Sequence, residues 1–466
     1  MHPQSCRKCT RESLREAVSG AQKHRRGRES VVNRQPSTVN RNLEPGTWNL
    51  EPNTMLALLG GTPVTSDFIG PTQLVSKPDL ERRFLIEAYD SGIWDDWHGV
   101  ESPASIFADE WAEFNGSEYC ALVTNGTHTL QLALEALEIG YGDEVIVPGL
   151  TWQATAGAVC DVNAVPVIVD VDPTTLAIDP ARIEEAVTAK TRAVIPVHLY
   201  HRMAEMDTIS EIAARHGLAV IEDCAHAHGS TWDGRGSGTL GAFGSFSFQR
   251  SKLMNGGEGG ALFTQDEDLF TRIVSLRSCG RDYDGVAVHS GNFRLTGFQA
   301  GVLRGQLAAL KVNAPIFDRN GRALDEAVRA APGVQPLRRS AKITRQCSYG
   351  FVFLFDSEAF DGVDAPTFRK ALKAELGIGF GTCYAPLNQS DVYYPHKKRR
   401  HQINTGYVEA ITPSRWDLPI AEDLWQNRIV MTHWPIFGTA PERAGVLTDA
   451  IEKIYEHRHR LIGVTV

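Results

Sequence analysis

Lys252 poses the first chemical question in this chain. It lies in GSFSFQRSKLMNGGEGGAL (244–262). Ser245, Phe246, Ser247 and Phe248 precede it, alternating as a buried strand end does. Gly256-Gly257-Glu258-Gly259-Gly260 follows, too glycine-rich for a regular element and suited to close backbone approach by a ligand. Burial between an apolar strand and such a loop favours the neutral amine, the nucleophile that forms Schiff bases with carbonyl groups. The alternative is a loop lysine with its head in water, and the stretch by itself does not choose.

Other chemistry-bearing residues fall where strands should give way to helices. Asn125-Gly126-Thr127 offers free amides, a helix dipole and a hydroxyl to a phosphate, or simply an ordinary turn with its N-cap. Asp223 closes the apolar run AVIED as a helix cap or a functional acid, and Trp152 is either core or a flat surface for a planar ring. His226 and His228 have no third ligand at metal-like spacing, so no metal site is expected. Together these pieces fit a planar, phosphorylated pyridine aldehyde: a helix N-terminus for the phosphate, a carboxylate for the ring nitrogen, a lysine for the aldehyde. No G-x-G-x-x-G stands at the first strand–helix turn and the sequence has no G-x-x-x-x-G-K-[ST], so dinucleotide and P-loop readings fall away.

The elements that must position these residues alternate. Strands are predicted at Cys120–Val123, Glu144–Val147, Val165–Val169, Ala193–Val197, Leu218–Glu222, Gly241–Phe248 and Gly260–Phe263. Helices are predicted after Asn125, at Thr151–Cys160, Pro180–Val187, Met203–His216, Asp266–Ser278 and Thr296–Lys311. Ser102-Pro103 reads as a helix start. Nearly continuous apolar strands in β/α alternation argue for a mainly parallel sheet covered by helices on both faces. Near Ala314 the texture changes, with Pro315, Pro332 and Pro336. We expect a large domain over 55–313 and a smaller C-terminal α+β domain over 314–466, with a strand at Ser348–Phe355 and helices at Ala365–Glu375 and Glu442–Arg458.

Composition sets limits. Of 466 residues, 42% are hydrophobic, and the net charge is −9, which argues against a nucleic-acid partner. No apolar run is long enough to span a bilayer, and a cytoplasmic location is expected. The eight cysteines read as reduced thiols, and Cys6-x-x-Cys9 alone is a weak zinc signal. Residues 1–54 carry +5 against −9 for the whole chain and contain the near-repeat NRNLEPGTWNLEPN. We expect them to be disordered or a non-native extension, with a start at Met55. The basic run Lys397-Lys398-Arg399-Arg400-His401 reads as a solvated loop.

The motifs TNGTHTLQLALEALEIGYGDEVIVP (124–148), PVHLYHRMAEMD (196–207), EDCAHAHG (222–229), SFSFQRSKLMNGGEGGA (245–261) and GNFRLTGFQAGVLRGQL (291–307) resemble the DegT/DnrJ/StrS family of pyridoxal-phosphate sugar aminotransferases. Within it they are similar to the branch acting on cyclitols, which includes scyllo-inosose aminotransferases and 3-amino-5-hydroxybenzoate synthases. The resemblance implies the aspartate-aminotransferase fold (PLP fold type I, a three-layer sandwich) and a homodimer with shared active sites. It implies pyridoxal 5'-phosphate (PLP) and transfer of an amino group from glutamine or glutamate to a keto-cyclitol or keto-sugar. Lys252 matches the Schiff-base lysine, Asp223 the partner of the pyridine nitrogen, His226 the residue near the ring hydroxyl and Trp152 the stacked aromatic. Gly126, Thr127 and Ser247 match phosphate contacts, and Asn292 an asparagine reaching the phosphate from the other subunit. Tyr384 and Asn388, in CYAPLNQSDVY (383–393), match a substrate-side loop. Asn388 stands where many nucleotide-sugar members carry histidine, and Gly297 where the family usually has glutamate. Two other readings are a related elimination or aromatisation and a non-catalytic sugar-sensing regulator.

Overall fold

The computed structural model describes residues 55–96, 99–283 and 285–464. The expectations for residues 1–54, Cys6 and Cys9 included, lie outside them. Thirteen strands are found in the described residues. β1 (Tyr119–Val123), β2 (Glu144–Pro148), β3 (Val165–Val169), β4 (Thr191–Val194), β5 (Ala219–Asp223), β8 (Phe243–Ser247) and β9 (Gly260–Thr264) form one sheet in the order β1-β9-β8-β5-β4-β2-β3. The pairs from β8 through to β3 are all parallel, and only β9 runs against its neighbours β1 and β8. This is the mainly parallel sheet expected. The carboxyl ends of the six strands other than β9, β1 and β8 included, therefore open on the same edge.

Alternation within the strands divides two apolar layers. Ala121, Val123, Val145, Val147, Ile195 and Ile221 face the helices Gly126–Ala136, Ala154–Asp161 and Glu267–Arg277. Leu122, Phe246, Ala261 and Phe263 face the helix Pro103–Asn115. Ile146, Val167, Val194 and Val220 face Pro180–Ala186 and Met206–His216. Helices thus cover both faces. The helix Pro103–Asn115 starts where Ser102-Pro103 predicts, closed by a reciprocal Ser102–Ser105 capping box.

A smaller antiparallel sheet, β10 (Val334–Pro336), β12 (Gly350–Phe355) and β13 (Ile429–His433), packs with the helices Ala365–Leu376 and Gly445–Glu456 around a second core rich in phenylalanine. A third sheet joins β11 (Ile343–Arg345) to the short β6 (Thr231–Trp232) and β7 (Arg235–Gly236).

The helix predicted to stop at Lys311 instead runs from Gly297 to Ala330, straight through Pro315 and the expected boundary at 313/314. An internal proline costs about 3 kcal/mol. Packing offsets it: Ala300, Leu303, Leu307 and Leu310 bury against the helix Pro103–Asn115 and the large sheet, and Ala314, Phe317, Leu324 and Val328 in the second core. Two residues before Pro315, buried Asn313 accepts from the Val75 amide and donates to its carbonyl, both at 2.9 Å. The basic run is not simply solvated either. Lys398, Arg400 and His401 converge on Asp161, and His401 is buried. All six cysteines among the described residues are free, with Cys279 exposed. No helix of the described residues is long and apolar enough to cross a membrane.

Candidate active site

A cavity of about 410 Å³ lies at the carboxyl edge of the large sheet. Five strand ends contribute to it: Asn125–Thr127 after β1, Thr151 and Trp152 after β2, Val197 and Leu199 after β4, Asp223 from β5 and Ser247 from β8. Ligands of open α/β sheets bind at such edges, where loops diverge and amides are free.

The corner after β1 is built by the backbone. Asn125 is extended, and its side chain accepts from the His128 amide at 2.9 Å, capping the helix Gly126–Ala136. The amides of Gly126 and Thr127 have no carbonyl one turn back and end at the cavity. Gly126 is needed for close approach, since a Cβ there would sit 2.6 Å from Ser247 Cβ. Gly260 serves the same corner from behind, where a Cβ would lie 2.7 Å from the Asn125 carbonyl carbon.

Asp223 is buried, with Oδ2 accepting from Thr155 Oγ1 at 3.0 Å and Oδ1 from the Ala225 amide at 3.2 Å. Burial pushes its carboxyl up, while these two donors and the Lys252 charge pull it back. Its neighbour Glu222 faces the opposite side of the sheet. It accepts from the amides of Gly238, Leu240 and Gly241 and pairs with His198 Nε2 at 3.0 Å. Cys224 lies close enough to form a His198–Glu222–Cys224 grouping. His198 Nδ1, however, accepts from the Ala204 amide, so these donors are already spent within the fold.

Lys252 sits on the bend after β8, its amide donating to the Gln249 carbonyl at 2.9 Å. Its Nζ lies 4.7 Å from the centre of the Tyr349 ring. Burial lowers its pKa to about 8, against the opposing pull of Asp223, leaving a substantial neutral fraction near neutrality. The His226 ring stacks on Tyr349 with centroids 4.0 Å apart at 7°. His226 Nδ1 accepts from the Tyr200 amide at 3.3 Å, and Nε2 lies 3.4 Å from the Tyr384 hydroxyl. Burial, reinforced by Lys252, keeps this imidazole neutral, so the network assigns its proton to Nε2. Trp152 is 48% exposed, an unusual state for an indole, and borders the cavity 5.5 Å from the Tyr384 ring.

Of the residues singled out in the sequence, Gly126, Thr127, Trp152, Asp223, His226, Ser247, Lys252 and Tyr384 line this one cavity. Asn292 does not. It is exposed in a segment bridged to Ser278. Asn388 does not either, since its amide donates to the Trp416 carbonyl at 3.0 Å and to Glu422 Oε1 at 2.7 Å. Gly297 is the first residue of the long helix, its amide donating to the Trp94 carbonyl. Sequence reasoning missed Tyr200, Tyr349 and Thr155. The i, i+4 pair Thr151/Thr155 in the predicted helix was a signal for the last, and their hydroxyls are 2.9 Å apart. Nothing local marks Tyr349, which stands just before β12 of the second sheet.

The arrangement meets the demands of a flat, anionic, carbonyl-bearing ring: free amides at one end, a buried carboxylate, an aromatic wall, and a depressed lysine amine. A model of the DegT/DnrJ/EryC1/StrS aminotransferase family matches residues 81–432. The L-glutamine:2-deoxy-scyllo-inosose aminotransferase of Streptoalloteichus tenebrarius is 37% identical over 87% of this chain and 99% of its own length. That of Streptomyces paromomycinus is 37% identical over 88% and 99%. A crystal structure of 3-amino-5-hydroxybenzoic acid synthase superposes with a TM-score of 0.70 at 30% identity, covering 83% of this chain and 100% of that one.

Proposed function

Because the chain belongs to the DegT/DnrJ/EryC1/StrS aminotransferase family, and so is a PLP-dependent transaminase of aspartate-aminotransferase fold, we propose that it moves the amino group of glutamine onto a keto-cyclitol. The near full-length similarity to scyllo-inosose aminotransferases carries this reading. We further propose that it works in the cytoplasm as a homodimer, with Asn292 serving the partner's site from its exposed position.

PLP supplies an electron sink that makes the Cα–H of a bound amino acid acidic. The chain's residues have matching tasks. Lys252 Nζ would hold the aldehyde and, when released, carry the proton between donor carbon and cofactor. Its pKa near 8 suits an amine that must both attack and accept a proton. Asp223, whose oxygens accept from Thr155 and the Ala225 amide, would hold a proton on the ring nitrogen. Gly126, Thr127 and Ser247 would seat the phosphate. His226 presents an Nε2–H donor to the cavity, and Trp152 would offer the ring a flat aromatic face. Tyr384 reaches the same space from the substrate-side loop, while Asn388 ties that loop down through Trp416 and Glu422.

The test is amino transfer from glutamine to 2-deoxy-scyllo-inosose and other keto-cyclitols, with the wild type beside Lys252→Ala. Product amine from the wild type alone, with loss of the visible absorbance of lysine-bound cofactor in the variant, is expected. Full turnover by Lys252→Ala would sink the assignment. Aromatisation of an aminoshikimate-type substrate without amino transfer would replace it with the synthase reading.

A further inference from the structure

The segment 198–202 leaves the carboxyl end of β4 and joins the cavity to the second lobe. At its centre is Tyr200, buried to 1% exposure and held at φ +49°, the left-handed region that side chains rarely adopt. Its polar atoms are all engaged. The amide donates to His226 Nδ1 at 3.3 Å, the carbonyl accepts from the Tyr349 amide at 3.1 Å, and the hydroxyl accepts from the Tyr384 amide at 3.1 Å. Its ring centroid lies 5.3 Å from those of both His226 and Tyr384.

The two residues after it are anchors. His201 Nδ1 accepts from Ser348 Oγ at 2.7 Å, and its Nε2 donates to Asp325 Oδ1 at 3.2 Å. Arg202 donates to Asp325 Oδ2 at 2.8 Å and to the Leu337 carbonyl at 2.6 Å. All four side chains are buried, and Asp325 is held in its charged form by His201 and Arg202 despite its burial. Asp325 belongs to the long helix and Ser348 leads into β12. A strained turn is thus fixed from the second lobe while its tyrosine touches three cavity residues.

We infer that Tyr200 is a positioning residue for the amino-transfer site. Its amide sets the His226 tautomer that offers Nε2–H, and its hydroxyl holds the Tyr384 backbone where the Tyr384 hydroxyl reaches His226. This rests on the transaminase reading of the cavity.

Tyr200→Phe deletes one oxygen and leaves the ring and the backbone amide in place. Its direct consequence is read without turnover. In the full-length protein, with or without PLP, deuterium uptake by the peptide spanning 383–388 should rise, because the Tyr384 amide loses its acceptor. Cofactor loading and the visible spectrum should stay as in the wild type. The efficiency of amino transfer should fall roughly tenfold, the usual scale for one lost buried hydrogen bond. In a Tyr384→Phe background the same change should cost less than about twofold, because the atom being positioned is already gone. Loss of cofactor absorbance on adding glutamine gives this cycle for the donor half alone, so a wrong acceptor does not obscure it. Unchanged uptake over 383–388, full turnover, failure to load PLP, or an equal loss in both backgrounds would each overturn the inference. A wild type that fails in both halves would instead overturn the transaminase reading.

Discussion

Replacing Lys252 by methionine should make the cofactor-free protein more stable while abolishing its activity. The lysine pKa falls from its ordinary 10.5 to about 8 because burial penalises the ammonium, with Asp223 opposing. At ~1.36 kcal/mol per pH unit, that drop places about 3 kcal/mol of charge burial in the folded state at pH 7. Below pH 8 both folded and unfolded chains carry the proton, so the whole penalty is felt. Between about pH 8 and 10.5 the unfolded chain keeps the proton and the folded one does not, so wild-type stability gains with rising pH. Lys252→Met removes the group and its pH dependence while conserving most of the volume. Asp223 then loses its nearest cation, which trims the gain. Urea unfolding of both apoproteins should show the variant ahead by about 2–3 kcal/mol at pH 7, with the gap closing towards pH 10. A gap that does not change with pH, or a wild type that is the more stable at pH 7, would refute the picture of a desolvated amine.

Two further changes probe the cavity's walls. Gly126→Ala places a Cβ 2.6 Å from Ser247 Cβ, and overpacking of about 1–3 kcal/mol should weaken PLP binding roughly tenfold or more in a titration of the apoprotein. Unchanged affinity would mean that the corner does not seat the phosphate. Asn388→Ala removes hydrogen bonds to the Trp416 carbonyl and Glu422 and should cost about 1 kcal/mol of stability, with KM for the acceptor held within about twofold. A large rise in KM at unchanged stability would put Asn388 on the substrate instead.

Most of the cavity was legible in the sequence because its parts sit at strand ends. Apolar runs such as Cys120–Val123 and Leu218–Glu222 mark where a strand stops, and the residue just beyond is then placed at the carboxyl edge without tertiary knowledge. Gly126, Trp152 and Asp223 were found in this way, whereas Ser247 came from the resemblance of its motif. Tyr349 and Tyr200 were hidden because nothing local distinguishes an aromatic that meets a cavity from one that fills a core. Each reaches the site through contacts between segments far apart in the sequence. Pro315 misled for the opposite reason. Its local preference ends helices, but the helix lies across two cores that both demand its continuation, and packing outweighed propensity. Asn388 was drawn to the site by its place in a motif, yet its partners Trp416 and Glu422 come from 28 and 34 residues further on, a distance over which spacing carries no information.

Glu222 and Asp223 are adjacent carboxylates on opposite faces of one strand. The first is gripped by three amides and an imidazole, and the second projects into the cavity. The grip therefore acts as a phase marker. A slip of one residue in β5 would exchange the two acids, burying Asp223 in a socket shaped for the longer side chain and presenting Glu222 to the cavity. This strand can consequently drift in composition at Ala219, Val220 and Ile221 while its length cannot change by even a single residue. Insertions and deletions should be confined to the loops beyond it, where no pair of neighbouring acids has to be told apart.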